Sequence, residues 1–178
     1  MHPRQFTQLD VFANHALQGN ALAVVLDGEG ISDTTMLDFA RWTNLSETTF
    51  LLPPTAEGAA GGADYRVRIF TPAGELAFAG HPTLGSCQAW LNAGGIPRQA
   101  HVVIQECAKG LITIARVPAM GSTGTDGLAF AAPPLLRSEV PATLQAQVLA
   151  ALELKADDLI AAQWLDNGSR WMGLLMRH

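Results

Sequence analysis

Two places in the chain carry residue types on which proton chemistry could be built. One is Glu47, in Asn44-Leu45-Ser46-Glu47-Thr48-Thr49-Phe50, a carboxylate with uncharged neighbours. A carboxylate partly withdrawn from water can take a proton from carbon and return it elsewhere. The other is Gly80-His81-Pro82-Thr83. Pro82 suits the first position of a helix, where its missing N–H is not needed. The unpaired N–H groups of a helix start carry partial positive charge and suit an anion such as a carboxylate. Gly80 allows close approach to the backbone, and His81 adds a donor that titrates near neutral pH. Spacing alone leaves a plainer reading open at both places. His81 could simply cap a helix, and Glu47 could be a solvated residue where a strand begins. Glu75 could orient His81 or the loop by hydrogen bonding. Asp10 and Asn20 have the residue types that satisfy turns, and Arg68 could be a cross-strand charge.

The elements that must hold these residues are alternately strand and helix. Gln5 to Ala13 alternates as a strand, and Ala21 to Leu26 is a short apolar run typical of a buried strand. Ser32 reads as the N-cap of a helix running to about Thr43, with Met36, Leu37, Phe39 and Ala40 as its apolar stripe. Thr48 to Leu52 reads as a strand, Thr55 to Ala63 as an exposed hairpin loop, and Tyr65 to Phe70 as a strand with a turn at Thr71 to Gly74. Pro82 to Asn92 reads as a helix rich in small residues, suited to close packing inside a sheet. Val102 to Gln105 and Leu111 to Val117 read as a hairpin. The composition then changes: Met120 to Asp126 is rich in Gly, Ser and Thr, which sets a domain boundary between Gly121 and Pro141. Beyond it come a helix over Pro141 to Leu152, a strand over Leu159 to Leu165, a turn at Asp166-Asn167-Gly168 and a returning strand over Trp171 to Met176.

Composition narrows the function. Eleven basic against sixteen acidic residues give a net charge of -5, with no basic stripe, so nucleic-acid binding is not expected. No signal peptide or spanning helix is legible, so a cytoplasmic protein with no membrane partner is expected. Cys87 and Cys107 have no metal-ligand spacing. Cys87 falls in the apolar stripe of its helix, where a buried role is expected. Only 15% of residues are charged, so many apolar faces need covering, some of them by another subunit or by sequence not present here.

Several short motifs together resemble the PhzF-like family, named for the phenazine-biosynthesis isomerase. They are Leu9-Asp10-Val11-Phe12, Gly19-Asn20-Ala21-Leu22-Ala23-Val24-Val25, Ser46-Glu47-Thr48-Thr49-Phe50, Arg68-Ile69-Phe70-Thr71-Pro72 and, most specific, Glu75-Leu76-Ala77-Phe78-Ala79-Gly80-His81-Pro82-Thr83-Leu84-Gly85. The resemblance covers about the first 95 residues and is looser beyond. It implies an α+β, diaminopimelate-epimerase-like fold: a curved β-sheet or barrel around a central helix, repeated in two domains with the site in the cleft between them. On that basis residues 1–125 are the complete first domain and 126–178 an incomplete second copy, so the chain is expected to be C-terminally truncated relative to the family. The Gly/Ser-rich helix start of the second domain is not found here.

The resemblance also implies a function. The expected activity is a cofactor-independent isomerase or epimerase that moves a proton on a small carboxylate-bearing substrate, as in dihydro-hydroxyanthranilate isomerisation. Glu47 and His81 are then catalytic, Gly80, Asn20 and Thr83 bind substrate, and no metal or other cofactor is needed. A small anionic molecule is the expected ligand, and a homodimer the expected assembly. The alternative is a truncated, non-catalytic binding or oligomerisation protein.

Overall fold

The structure is a computed structural model that describes residues 3–118 and 127–177. It divides into two compact units, Met1–Ala132 and Pro133–His178.

In the first unit, β1 (Phe6–Val11) and β2 (Asn20–Val25) pair antiparallel, with Val11 opposite Asn20. The Asp10 carboxylate shapes the connecting loop, accepting from the N–H groups of Gln18 at 3.0 Å and Gly19 at 2.8 Å. That loop fixes where Asn20 enters the sheet. Helix α1 (Asp33–Thr43) follows as expected. The Ser32 hydroxyl accepts from Thr35 N–H at 3.2 Å, and Asn44, left-handed at φ 52°, closes the other end on the Ala40 carbonyl. Met36 and Ala40 of α1 bury against Val25, Phe50 and Phe70. The short turn after Asn44 carries Glu47 directly into β3 (Thr48–Leu52), which runs parallel to β2.

Thr55 to Ala63, expected as a hairpin loop, instead holds the short helix α2 (Ala56–Ala60). Its start is capped twice. Thr55 Oγ1 accepts from Gly58 N–H at 3.0 Å, and the Glu106 carboxylate accepts from Thr55 N–H at 2.8 Å and from its hydroxyl at 2.6 Å. An Ala-rich stretch becomes helical once its first turn is satisfied. Strand β4 (Tyr65–Thr71) pairs antiparallel with β3 and, in a tight hairpin, with β5 (Gly74–Leu76).

Helix α3 (Gly80–Asn92) comes next, two residues longer at its start than the sequence suggested. Strand β6 (Val102–Cys107) lies parallel to β4, and β7 (Gly110–Val117) and β8 (Gly127–Phe130) continue the sheet antiparallel. The order is β1-β2-β3-β4-β6-β7-β8, with β5 off β4. The sheet curls around α3, which packs on β1, β2, β3, β6 and β8. Small residues make this possible. A Cβ on Gly85 would lie 2.5 Å from Leu22 Cδ2 and 2.8 Å from Val11 Cγ2, so helix and strand meet nearly backbone to backbone. The core between them holds Leu22, Val24, Val67, Ile69, Val103 and Ile114, all but withdrawn from solvent. Each such side chain contributes roughly 1.5–3 kcal/mol by burial. Cys87 and Cys107 are free thiols in the same core, and burial pushes the Cys87 thiol up to about 12.

The second unit contains β9 (Leu136–Glu139), α4 (Ala142–Ala151), a 3-10 turn at Ala156–Asp158, β10 (Leu159–Asp166) and β11 (Arg170–Met176). Its sheet order is β11-β10-β9, all antiparallel. The turn expected at Asp166-Asn167-Gly168 is present: Gly168 adopts φ 135° and donates to Asp166 Oδ1 at 2.9 Å. Strands β8 and β9 lie near or inside the segment read as a boundary. Because β8 pairs with β7, the first unit's sheet runs past residue 125. The Gly/Ser/Thr-rich run at Met120 to Asp126 lies outside the described residues.

Candidate active site

Three elements of the first unit bring their ends together: the start of β2 with Asn20, the turn before β3 with Ser46 and Glu47, and the first turn of α3 with His81. His81 Nε2 lies 3.5 Å from Glu47 Oε2. The side chains are 8% and 16% exposed. Both facing atoms are shut off from water, and neither has a hydrogen-bond partner. Leaving such atoms unmatched costs roughly 1–3 kcal/mol apiece.

The other side of the ring is satisfied. Ser46 Oγ donates to Asn20 Oδ1 at 3.3 Å, which turns the Asn20 amide NH2 toward His81 Nδ1, also at 3.3 Å. In the tautomer whose Nδ1 accepts from this amide, the ring proton sits on Nε2, on the side of Glu47. Burial lowers the His81 pKa from its ordinary 6.5, with the Glu47 carboxylate and the Ala21 backbone opposing that shift. Burial thus favours the neutral imidazole.

His81 stands on a helix start that no side chain caps. The residue before it, Ala79, is extended at φ -151° and offers no side-chain acceptor to the helix. The first N–H groups of α3 therefore remain a source of positive potential. Gly80 leaves that approach narrow: a Cβ there would meet Phe130 at 3.4 Å. Thr83 is fully buried beneath. Its hydroxyl donates to the Ala79 carbonyl at 2.9 Å and accepts from Gln105 Nε2 at 3.3 Å, while Tyr65 donates to Gln105 Oε1 at 2.8 Å. Thr83 thus anchors the helix start from the core side.

Glu75 does not orient His81. It takes a bidentate pair from Arg68, at 2.8 and 2.7 Å, and Arg68 also reaches Asp33 at 2.6 Å. These groups tie the β4–β5 hairpin to the start of α1. Asp10 is occupied by its loop. Ser46 was not singled out from the sequence; its place next to Glu47 was the available signal. Among the described residues no cluster of three or more His, Cys, Asp or Glu is placed to hold a metal ion, and no helix is long and apolar enough to cross a membrane.

With this geometry in hand, comparison with known proteins is informative. The family model described as phenazine biosynthesis-like protein matches residues 9–177. The chain belongs to this family. Among its relatives, antisense-enhancing sequence 1 of Schizosaccharomyces pombe is 47% identical over 114 residues, covering 64% of this chain and 37% of that protein. Trans-2,3-dihydro-3-hydroxyanthranilate isomerase of Pseudomonas aeruginosa is 47% identical over 85 residues, covering 48% of this chain and 29% of that enzyme. The matched part thus amounts to about a third of the length of these curated relatives. Among solved structures, a predicted epimerase from Pseudomonas aeruginosa superposes with a TM-score of 0.76 at 28% identity, over 98% of this chain and 60% of that one. A hydroxyproline epimerase from Agrobacterium vitis shares the fold, with a TM-score of 0.57 at 19% identity over 94% of this chain and 51% of that one. The phenazine biosynthesis-like chain therefore has the diaminopimelate-epimerase-like fold, an α+β curl of sheet around one helix.

Proposed function

We propose that this chain carries a proton-transfer site of isomerase or epimerase type, acting without a cofactor on a small carboxylate-bearing molecule. The observation that supports it is the facing pair of buried, unbonded atoms, Glu47 Oε2 and His81 Nε2, 3.5 Å apart. Groups left unsatisfied at that depth have a use when a ligand supplies their partners.

In this reading the Glu47 carboxylate removes a proton from a carbon next to an unsaturated or carbonyl group. The C–H electron pair moves into the substrate's conjugated system. Neutral His81 donates from Nε2 to the oxygen on which charge gathers, and the glutamic acid returns its proton at a second carbon on the face it occupies. Gly80 and the uncapped start of α3 receive the substrate carboxylate. Asn20 holds the ring so that Nε2 carries the proton, and Thr83 secures the turn beneath it. The identity to a named dihydro-hydroxyanthranilate isomerase makes that enzyme's substrate the first to try.

The test is incubation with trans-2,3-dihydro-3-hydroxyanthranilate in deuterated water, followed by NMR. Deuterium should enter the ring carbons, and Glu47→Gln should slow this by at least about 100-fold. Exchange that persists in Glu47→Gln removes Glu47 as the base, and a wild-type chain that exchanges nothing removes the reading for this substrate.

A second reading, a protein that associates with another copy of itself, is supported by the second unit. A cavity of about 300 Å³ lies on its sheet against Leu135, Leu165, Leu174 and Leu175, with Trp171 68% exposed on β11. Sedimentation velocity checks it: a homodimer is expected, and a monomer at micromolar concentration overturns it.

A further inference from the structure

The apolar core of the first unit contains a chain of hydroxyls. Ser86 Oγ donates to Thr49 Oγ1 at 2.9 Å, and Thr49 Oγ1 donates to the Ala23 carbonyl at 3.4 Å. Thr49, Ser86 and Ala23 are all fully buried. The chain crosses α3, β3 and β2, the three elements whose ends carry His81, Glu47 and Asn20. Thr49 is two residues beyond Glu47, the second residue of β3. Ser86 lies on the same helix as His81, a little over one turn on.

The neighbours of this chain cannot do its work. Leu22, Val24, Val67 and Ile69 press the helix onto the sheet, but apolar contact has no direction. It tolerates small slides and rotations along the stretch Gly85, Ser86, Cys87 and Ala89, where the buried helix surface is made of small residues. A short hydrogen bond does not, because distance and angle both enter its strength. Nor does overall stability explain the pair. Two buried hydroxyls bonded to each other do about as well as two apolar groups of the same shape. Thr48, on the opposite face of β3, pairs with Thr43 at 2.8 Å, so the strand is tied on its α1 side as well.

We propose that Thr49 and Ser86 are positioning residues, setting how α3 slides and turns against β2 and β3 and so holding Glu47 and His81 at their unbonded separation. The proposal rests on the proton-transfer reading of the same site, but its test does not need turnover. The His81 ring signal is titrated by NMR with and without Glu47→Gln, in the wild-type chain and in Thr49→Val/Ser86→Ala.

In the wild-type background Glu47→Gln should lower the His81 midpoint, because the carboxylate raises it. In the hydroxyl-free background that shift should fall to about half or less, a coupling measured as a double-mutant cycle. Thr49→Ser, which keeps the hydroxyl, should retain the full shift. A folded Thr49→Val/Ser86→Ala chain with the full shift overturns the proposal. So does one that fails to fold, since the hydroxyls would then be needed by the core itself. A wild-type chain that exchanges no substrate deuterium, yet shows the coupling lost in the double variant, would sink the proton-transfer reading alone.

Discussion

Glu47 Oε2 and His81 Nε2 face each other across 3.5 Å of buried space, and neither is hydrogen-bonded. Natural cores seldom leave such a pair unmatched. The arrangement sacrifices stability at one point of an otherwise well-satisfied fold. Glu47→Gln removes the buried charge and offers an amide oxygen to the Nε2 proton. It should therefore stabilise the chain by about 1 kcal/mol and raise its melting temperature by about 3 °C, while removing proton exchange. Thermal unfolding followed by circular dichroism checks this; a lower melting temperature would mean that the carboxylate is well accommodated.

The pH dependence of stability has a definite sign at His81. Burial lowers its folded pKa below the ordinary 6.5. Between the two values the unfolded chain holds more protons than the folded one, so stability falls as pH drops. Above 6.5 the ring is neutral in both states and makes no such difference. Below the folded value the loss is complete and levels off. His81→Asn should remove this component, so the two stability curves should converge on the acid side once other carboxylates are accounted for. Urea unfolding of both chains from pH 7.5 down to pH 5 measures the difference; parallel curves would contradict the burial argument.

Gly85 tests how closely α3 approaches the sheet. In an exposed helix Gly→Ala helps by about 1 kcal/mol. Here the new methyl would meet Leu22 Cδ2 at 2.5 Å and Val11 Cγ2 at 2.8 Å. Gly85→Ala should therefore destabilise by about 1–3 kcal/mol and displace the helix that carries His81. The expected signs are a lower urea midpoint and a shifted His81 ring resonance. A more stable variant would show that the sheet yields at this point.

Thr55→Val serves as a control away from the site. It removes the acceptor for Gly58 N–H and the hydroxyl that donates to Glu106. A loss of about 1–2 kcal/mol is expected, the usual effect of deleting an N-cap. The His81 titration should be unchanged, because the hydrogen bonds of the Thr55 side chain go to Glu106 and Gly58 and to no residue of the site. A moved titration would show that Glu106 and the site communicate.

Local patterns in the sequence went a long way toward this structure. Ser32 as N-cap and the turn at Gly168 satisfy their own backbone within a few residues, and the run after Glu47 is marked as strand by its β-branched and aromatic side chains, so these elements are readable. The family motifs pointed to the two residues that the fold brings face to face. What escaped depends on distant partners. Helix α2 needs a carboxylate 51 residues away. Glu75 has its hydrogen-bonding partner in Arg68 across the β4–β5 hairpin, rather than in His81 nearby in sequence. Strands β8 and β9 are four residues each and take their definition from the strands they join. Burial of Thr83 and the Thr49–Ser86 hydroxyl chain come from the curl of the sheet, which no spacing of residues announces.

The central helix is enclosed by strands on both sides of it in sequence: β1, β2 and β3 before it, β6 and β8 after. During synthesis the ribosome delivers these in order. A nascent chain that has emerged only as far as Asn92 holds a formed or forming helix whose apolar residues Cys87 and Ala89 have only part of their wrapping. Closure waits for β6 to find β4 in a parallel, long-range pairing, the slow kind. Until then the start of β4, at Tyr65 and Arg66, and the open side of α3 are exposed together, the combination that draws chaperones or aggregates. The helix that holds His81 is thus fully wrapped only once strands that follow it in sequence, β6 and β8, have joined the sheet.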